Sequence, residues 1–142
     1  DKNTKLVLMG KPVIQIPKSP DIVSLGFVTD EDKFDGIKGA RALVLPSKYE
    51  SLSMVVLEAM YLRTPVIVNG RCPVLKGHVV KSNGAFYYRN FFEFEGELNY
   101  LYDNEDTVQI MLDNALEYVN ENYQWDKITK RLCNLIEEIT KK

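Results

Sequence analysis

Cysteine is scarce in this chain. Cys72 and Cys133 are the only two in 142 residues, they stand far apart, and neither sits at metal-ligand spacing. That excludes a disulfide scaffold and leaves two free thiols in a reducing compartment as the expectation. Histidine occurs once, at His78, and no metal-ligand cluster can be assembled from the sequence, so no metal and no cofactor are expected. An excess of positive charge is also lacking. The net charge of −2 provides no basic footprint for nucleic acid. No apolar run approaches membrane-spanning length. The opening Asp1-Lys2-Asn3-Thr4-Lys5 has no signal-peptide pattern. It has no starting methionine either, so the chain is expected to be a cut fragment of something longer. There is no internal repeat, no low-complexity tract and no linker that splits the chain.

What is present suits one globular domain over 1–142 with a sizeable core, because 45% of residues are hydrophobic and 27% charged. Leu6-Val7-Leu8-Met9, closed by Gly10, reads as a buried strand and turn. Lys11 to Asp21 holds three prolines and reads as a loop around a short strand. Val23 to Val28 reads as a second strand, followed by a helix capped at Thr29 or Asp30, with Phe34, Ile37 and Ala40 as its apolar stripe. Ala42 to Leu45 is the next strand, Leu52 to Leu62 the next helix, and Thr64-Pro65 breaks it before the strand Val66-Ile67-Val68. Asn69-Gly70 is a turn. Arg71 to Gly84 reads as a loop with little regular structure, and Ala85 to Tyr88 as a last short strand. Helices are expected over Phe91–Asp103, Asp106–Asn122 and Trp125–Lys141. The last carries a repeated apolar pattern at Ile128, Leu132, Leu135, Ile136 and Ile139. Strands alternating with helices imply an α/β fold, a Rossmann-like parallel sheet with right-handed crossovers.

The chemistry concentrates in Tyr49-Glu50-Ser51-Leu52-Ser53-Met54-Val55-Val56-Leu57-Glu58-Ala59-Met60. Glu58 interrupts an apolar run, where a carboxylate costs free energy unless something pairs with it. A strand, a short loop and a helix at this point form the place where open α/β sheets hold ligands. The unpaired first amides of such a helix and small residues such as Ser51 and Ser53 suit a phosphate or diphosphate. The bland alternative is that one of these serines is only an N-cap. If the region were continuous helix, Glu50 and Glu58 would lie about 80° apart and roughly 12 Å along the axis. They could not act on one bond, and two hydroxyl-bearing groups flanking a phosphate fit better. The residues therefore read as a nucleotide-sugar site.

Pro46-Ser47-Lys48-Tyr49-Glu50-Ser51-Leu52-Ser53-Met54-Val55-Val56-Leu57-Glu58-Ala59-Met60, followed by Thr64-Pro65-Val66-Ile67, resembles the E-x7-E region of group 1 (family 4-like) glycosyltransferases, retaining enzymes of the GT-B fold. Gly26-Phe27-Val28 with Asp30-Glu31-Asp32, and the tail around Asn122-Tyr123-Gln124-Trp125, extend the resemblance over nearly the whole chain. It implies the C-terminal, donor-binding half of a two-domain enzyme, with the first strand and helix of that half missing. It also implies that Glu50 contacts the transferred sugar, as the catalytic candidate. Glu58 holds the ribose hydroxyls, backbone groups of Ser51, Leu52, Ser53 and Met54 meet the sugar and diphosphate, and Phe27 and Val28 lie against the base. The donor would be a nucleotide-diphosphate sugar, with no metal required. The partner would be the acceptor domain of the same enzyme, and the protein would be cytoplasmic, with peripheral membrane association at the inner face. The family usually has a glycine-rich stretch where Ser51 to Ser53 stand.

Other residues attract blander readings. Lys11 reads as a solvated lysine, His78 as a structural or exposed loop histidine, and Arg71 as a candidate for anion contact. Phe86, Tyr87, Tyr88, Phe91, Phe92 and Phe94 read as core and helix packing, and Glu93, Glu95 and Glu97 as a solvated face. Two other functions compete with this reading. One is a non-catalytic scaffold of the same fold, against which the intact glutamate pair argues. The other is a receiver-like signalling domain, whose acidic pocket Gly10-Lys11-Pro12 does not supply.

Overall fold

A computed structural model describes residues 4–141. The chain divides into a first compact unit ending at Gly36 and a second beginning at Ile37.

In the first unit, β1 (Leu6–Met9) pairs parallel with β2 (Ile22–Gly26), and α1 (Asp30–Gly39) begins after them. Thr29 caps α1: its hydroxyl accepts from the Asp32 amide at 3.1 Å and donates to the Asp32 carboxylate at 2.7 Å. The expectation that β1 is buried is wrong. Leu6, Val7 and Met9 are exposed, because a two-stranded ribbon within a 36-residue unit has too little around it to cover both faces.

The second unit contains a three-stranded parallel sheet in the order β3-β4-β5 (Leu43–Leu45, Val66–Asn69, Phe86–Tyr88). The register pairs Leu43 with Val66 and Ile67 with Phe86. β4 is buried along its whole length, as a central parallel strand covered on both faces must be. α2 (Met54–Tyr61), α3 (Pro73–Ser82), α4 (Phe91–Asp103) and α5 (Glu105–Asn122) flank it, and α6 (Trp125–Thr140) follows. Val56, Ala59, Met60, Val66, Val68, Leu75 and Ala115 form the centre of the core. Thr64 donates to the Ile37 carbonyl at 2.9 Å and ties α1's last turn to the segment before β4. Gly84 runs against α5 so closely that a Cβ there would lie 2.5 Å from the Ala115 nitrogen.

The structure corrects three expectations in this unit. Arg71 to Gly84 is not a loop, because α3 occupies most of it. Pro73 sits in the first turn, where its missing N–H costs nothing, and Asn83 takes the left-handed conformation (φ 48°) that ends helices. Phe91 and Phe92 are exposed rather than packed, whereas Phe86, Tyr88 and Phe94 are half-buried. Phe86 meets Tyr100 and Tyr88 meets Phe94 in edge-on pairs. Glu97 is not on a solvated face: its Oε2 is buried and has no hydrogen-bond partner.

Candidate functional site

β3 ends at Leu45, and Pro46, which lacks an amide hydrogen, follows it. The chain then crosses 46–53 without regular structure and enters α2 at Met54, two residues later than Leu52, where the sequence pattern placed the helix start. Glu50 therefore precedes the helix, and the separation worked out for a continuous helix does not apply.

Ser53 occupies the N-cap position with φ 65° and ψ 75°, in the left-handed region that favours glycine, and its side chain makes no capping bond. Its carbonyl accepts from the Val56 and Leu57 amides, while its hydroxyl is buried and unpartnered. No acidic residue stands in the first turn of α2. The positive end of this helix is thus not neutralised by its own sequence.

The next strand and helix hold this segment. Asn69 is the last residue of β4 and 8% exposed. Its Nδ2 donates to the Pro46 carbonyl at 3.0 Å while its Oδ1 accepts from the Arg71 amide. His78 on α3 is 5% exposed. Its Nε2 lies 2.7 Å from the Leu52 carbonyl and its Nδ1 3.0 Å from the Tyr118 hydroxyl, which is 3.1 Å from that of Tyr123. Burial pushes the Tyr118 hydroxyl pKa upward.

In the second unit Glu50 and Glu58 are half-buried, Ser51, Leu52 and Met54 are exposed, and Ser53 is buried. Phe27 and Val28 belong to the first unit, where Phe27 is 91% exposed after β2 and Val28 half-buried. Arg71 is exposed beside the N-terminus of α3, and Lys11 is exposed in the loop after β1. Neither Asn69 nor His78 was expected in the site. The signal for His78 was its place on one face with Leu75, Val79 and Ser82, the helical spacing of α3. Among the described residues, no group of three or more His, Cys, Asp or Glu is arranged to hold a metal ion. No helix among them is long and apolar enough to cross a membrane.

A family model, Glycosyl transferases group 1, matches residues 2–118. The chain belongs to this family. This group 1 chain is 30% identical over 94% of its length to the uncharacterized glycosyltransferase MJ1607 of Methanocaldococcus jannaschii, and it spans about 37% of that relative. It also shares its fold with Anabaena Alr3699/HepE, solved in complex with UDP-glucose. There the TM-score is 0.79 at 14% identity, covering 94% of this chain and 41% of the other. Parallel sheets flanked by helices, the Rossmann-like fold expected for the C-terminal half of a GT-B enzyme, are what the group 1 chain has.

Proposed function

We propose that this group 1 chain binds the diphosphate of a nucleotide-diphosphate sugar at the N-terminus of α2, as the donor half of a retaining glycosyltransferase. The observation that carries the reading is the left-handed Ser53 opening a helix with no acid in its first turn, at the carboxyl end of β3. Glu50, just before it, contacts hydroxyls of the sugar. Glu58, one turn inside, holds the ribose hydroxyls. Backbone groups of Ser51, Leu52, Ser53 and Met54 face the sugar and diphosphate.

The reaction moves a hexose to an acceptor hydroxyl with its anomeric configuration kept. The bond from the anomeric carbon to the phosphate oxygen breaks, a bond to the acceptor oxygen forms, and the acceptor's proton leaves with the nucleoside diphosphate. Stabilising the charge that grows on that diphosphate is the main electrostatic contribution. No metal is needed in this scheme, and the role is synthesis of a cell-surface polysaccharide or glycoconjugate on the cytoplasmic side of the membrane. The structure of a relative's fold with UDP-glucose supports the donor class.

Titration calorimetry with UDP-, GDP- and ADP-sugars tests the reading. One donor is expected to bind the wild-type chain, and Glu58→Ala to weaken it by about tenfold or more, the scale of a lost hydrogen bond to a charged group. A folded chain that binds none of the three sinks the assignment.

A further inference from the structure

The segment 46–53 carries Glu50, yet no backbone hydrogen bond joins one of its residues to another before Ser53. It is held at its two ends by buried side chains from the following strand and helix. Asn69 takes the Pro46 carbonyl, and His78 takes the Leu52 carbonyl. A carbonyl can only accept, so the His78 Nε2 carries the hydrogen in that bond. In the neutral ring Nδ1 then accepts from Tyr118, and the Tyr118 oxygen accepts from Tyr123. In that tautomer the three side chains share one hydrogen-bond direction, ending on Leu52.

The Leu52 carbonyl and the Ser53 amide belong to one planar peptide group. Fixing that carbonyl fixes how the plane is turned, and hence holds Ser53 at φ 65°, which a serine does not adopt unaided. Released, the peptide could turn over and let Ser53 relax to negative φ. Glu50 and the first amides of α2 would then lose their common orientation.

We propose that His78 is a positioning residue for donor binding: by holding the Leu52–Ser53 peptide it sets Glu50 and the first turn of α2 in place. This rests on the donor-site reading above, and it concerns a residue outside the glutamate motif, acting from α3. Geometry of this kind is worth most where a site must be formed before the ligand arrives.

Two amide variants separate positioning from packing. Glutamine places an N–H near the histidine Nε2, whereas asparagine reaches only as far as Nδ1. Both replace a buried ring with an amide; asparagine also leaves the larger cavity, a loss that shows in global urea stability rather than in exchange confined to residues 49–55. Amide hydrogen exchange over residues 49–55 and calorimetry with UDP-glucose, GDP-mannose and ADP-glucose are measured on wild type, His78→Gln and His78→Asn. The expected result is faster exchange and about tenfold weaker donor binding in His78→Asn, with His78→Gln within about threefold of wild type on both. Nitrogen NMR of the wild-type ring is expected to show the Nε2–H tautomer. Equal exchange and equal affinity in the two variants, or an Nδ1–H ring, overturns the positioning role while leaving the donor reading intact. A folded wild type that binds no donor overturns the donor reading and the proposal with it, whatever the exchange shows.

Discussion

Ser53 has two features that a serine normally avoids together. Its backbone is left-handed, and its hydroxyl is buried with no partner. The first costs a residue with a Cβ about 1 kcal/mol relative to glycine. The second costs about 1–3 kcal/mol in lost hydration. Glycine would relieve both, against an entropy penalty of about 0.5–1 kcal/mol from the freer unfolded chain. Ser53→Gly is therefore expected to raise the stability of the chain by about 1 kcal/mol in urea denaturation. Ser53→Ala removes the hydroxyl and keeps the strain, so it should gain less. A drop in stability on Ser53→Gly would show that the Ser53 side chain contributes a contact the structure does not contain.

At the scale of elements, α4 lies on β5 through the Phe86–Tyr100 and Tyr88–Phe94 pairs, and Glu97 occurs between Phe94 and Tyr100 on that helix. Burial, and secondly the nearby Glu93 carboxylate, raise the Glu97 pKa from 4.5 to about 7. The folded state then holds a proton that the unfolded state has released between those two values. Stability through this group is unimpaired below pH 4.5 and falls as pH rises to about 7. Part of the side chain still reaches solvent, so after screening the effect is about 1 kcal/mol or less. Glu97→Gln keeps the shape without the charge. Urea midpoints at pH 5.5 and pH 8 are expected to differ less in Glu97→Gln than in wild type, with the variant the more stable at pH 8. A wild-type midpoint that does not fall relative to the variant's over this interval would contradict the placement of Glu97.

The same element shows what sequence patterns can convey. Short continuous apolar runs mark the strands, and one-sided apolar periods mark most helices. Glu93, Glu95 and Glu97 look alike in sequence, and only the helix turn distinguishes the one that faces β5. α3 is hidden in the sequence because Pro73 and Gly77 carry a loop signal, which its four buried residues outweigh only in three dimensions. In the candidate site, the glutamates and serines are proposed from their order in the sequence. Asn69 and His78 could not, because their partners are carbonyls 23 and 26 residues away, and backbone acceptors leave no mark on a sequence.

At the scale of the whole chain, burial is uneven. α5 reaches the core through Ala115, Tyr118 and Val119, and its end is fixed by the Tyr118–Tyr123 contact. α6 has the strongest apolar periodicity in the sequence, yet none of its residues is buried, and Leu132, Leu135, Ile136 and Ile139 stand exposed. Hydrophobic stabilisation follows area removed from water, not the pattern that permits it. Removing α6 should therefore cost the fold little, whereas losing α5 would uncover Gly84 and the α2–α3 side of the core. A chain ending at Gln124 is expected to keep a cooperative urea transition, with its stability within about 1 kcal/mol of the full chain, since segments with few buried contacts lie at the low end of local stability. The far-ultraviolet circular dichroism should lose only the signal of α6's 16 residues. Loss of the cooperative transition, or of the slow-exchanging amides of β4, would show that α6 supports the core after all.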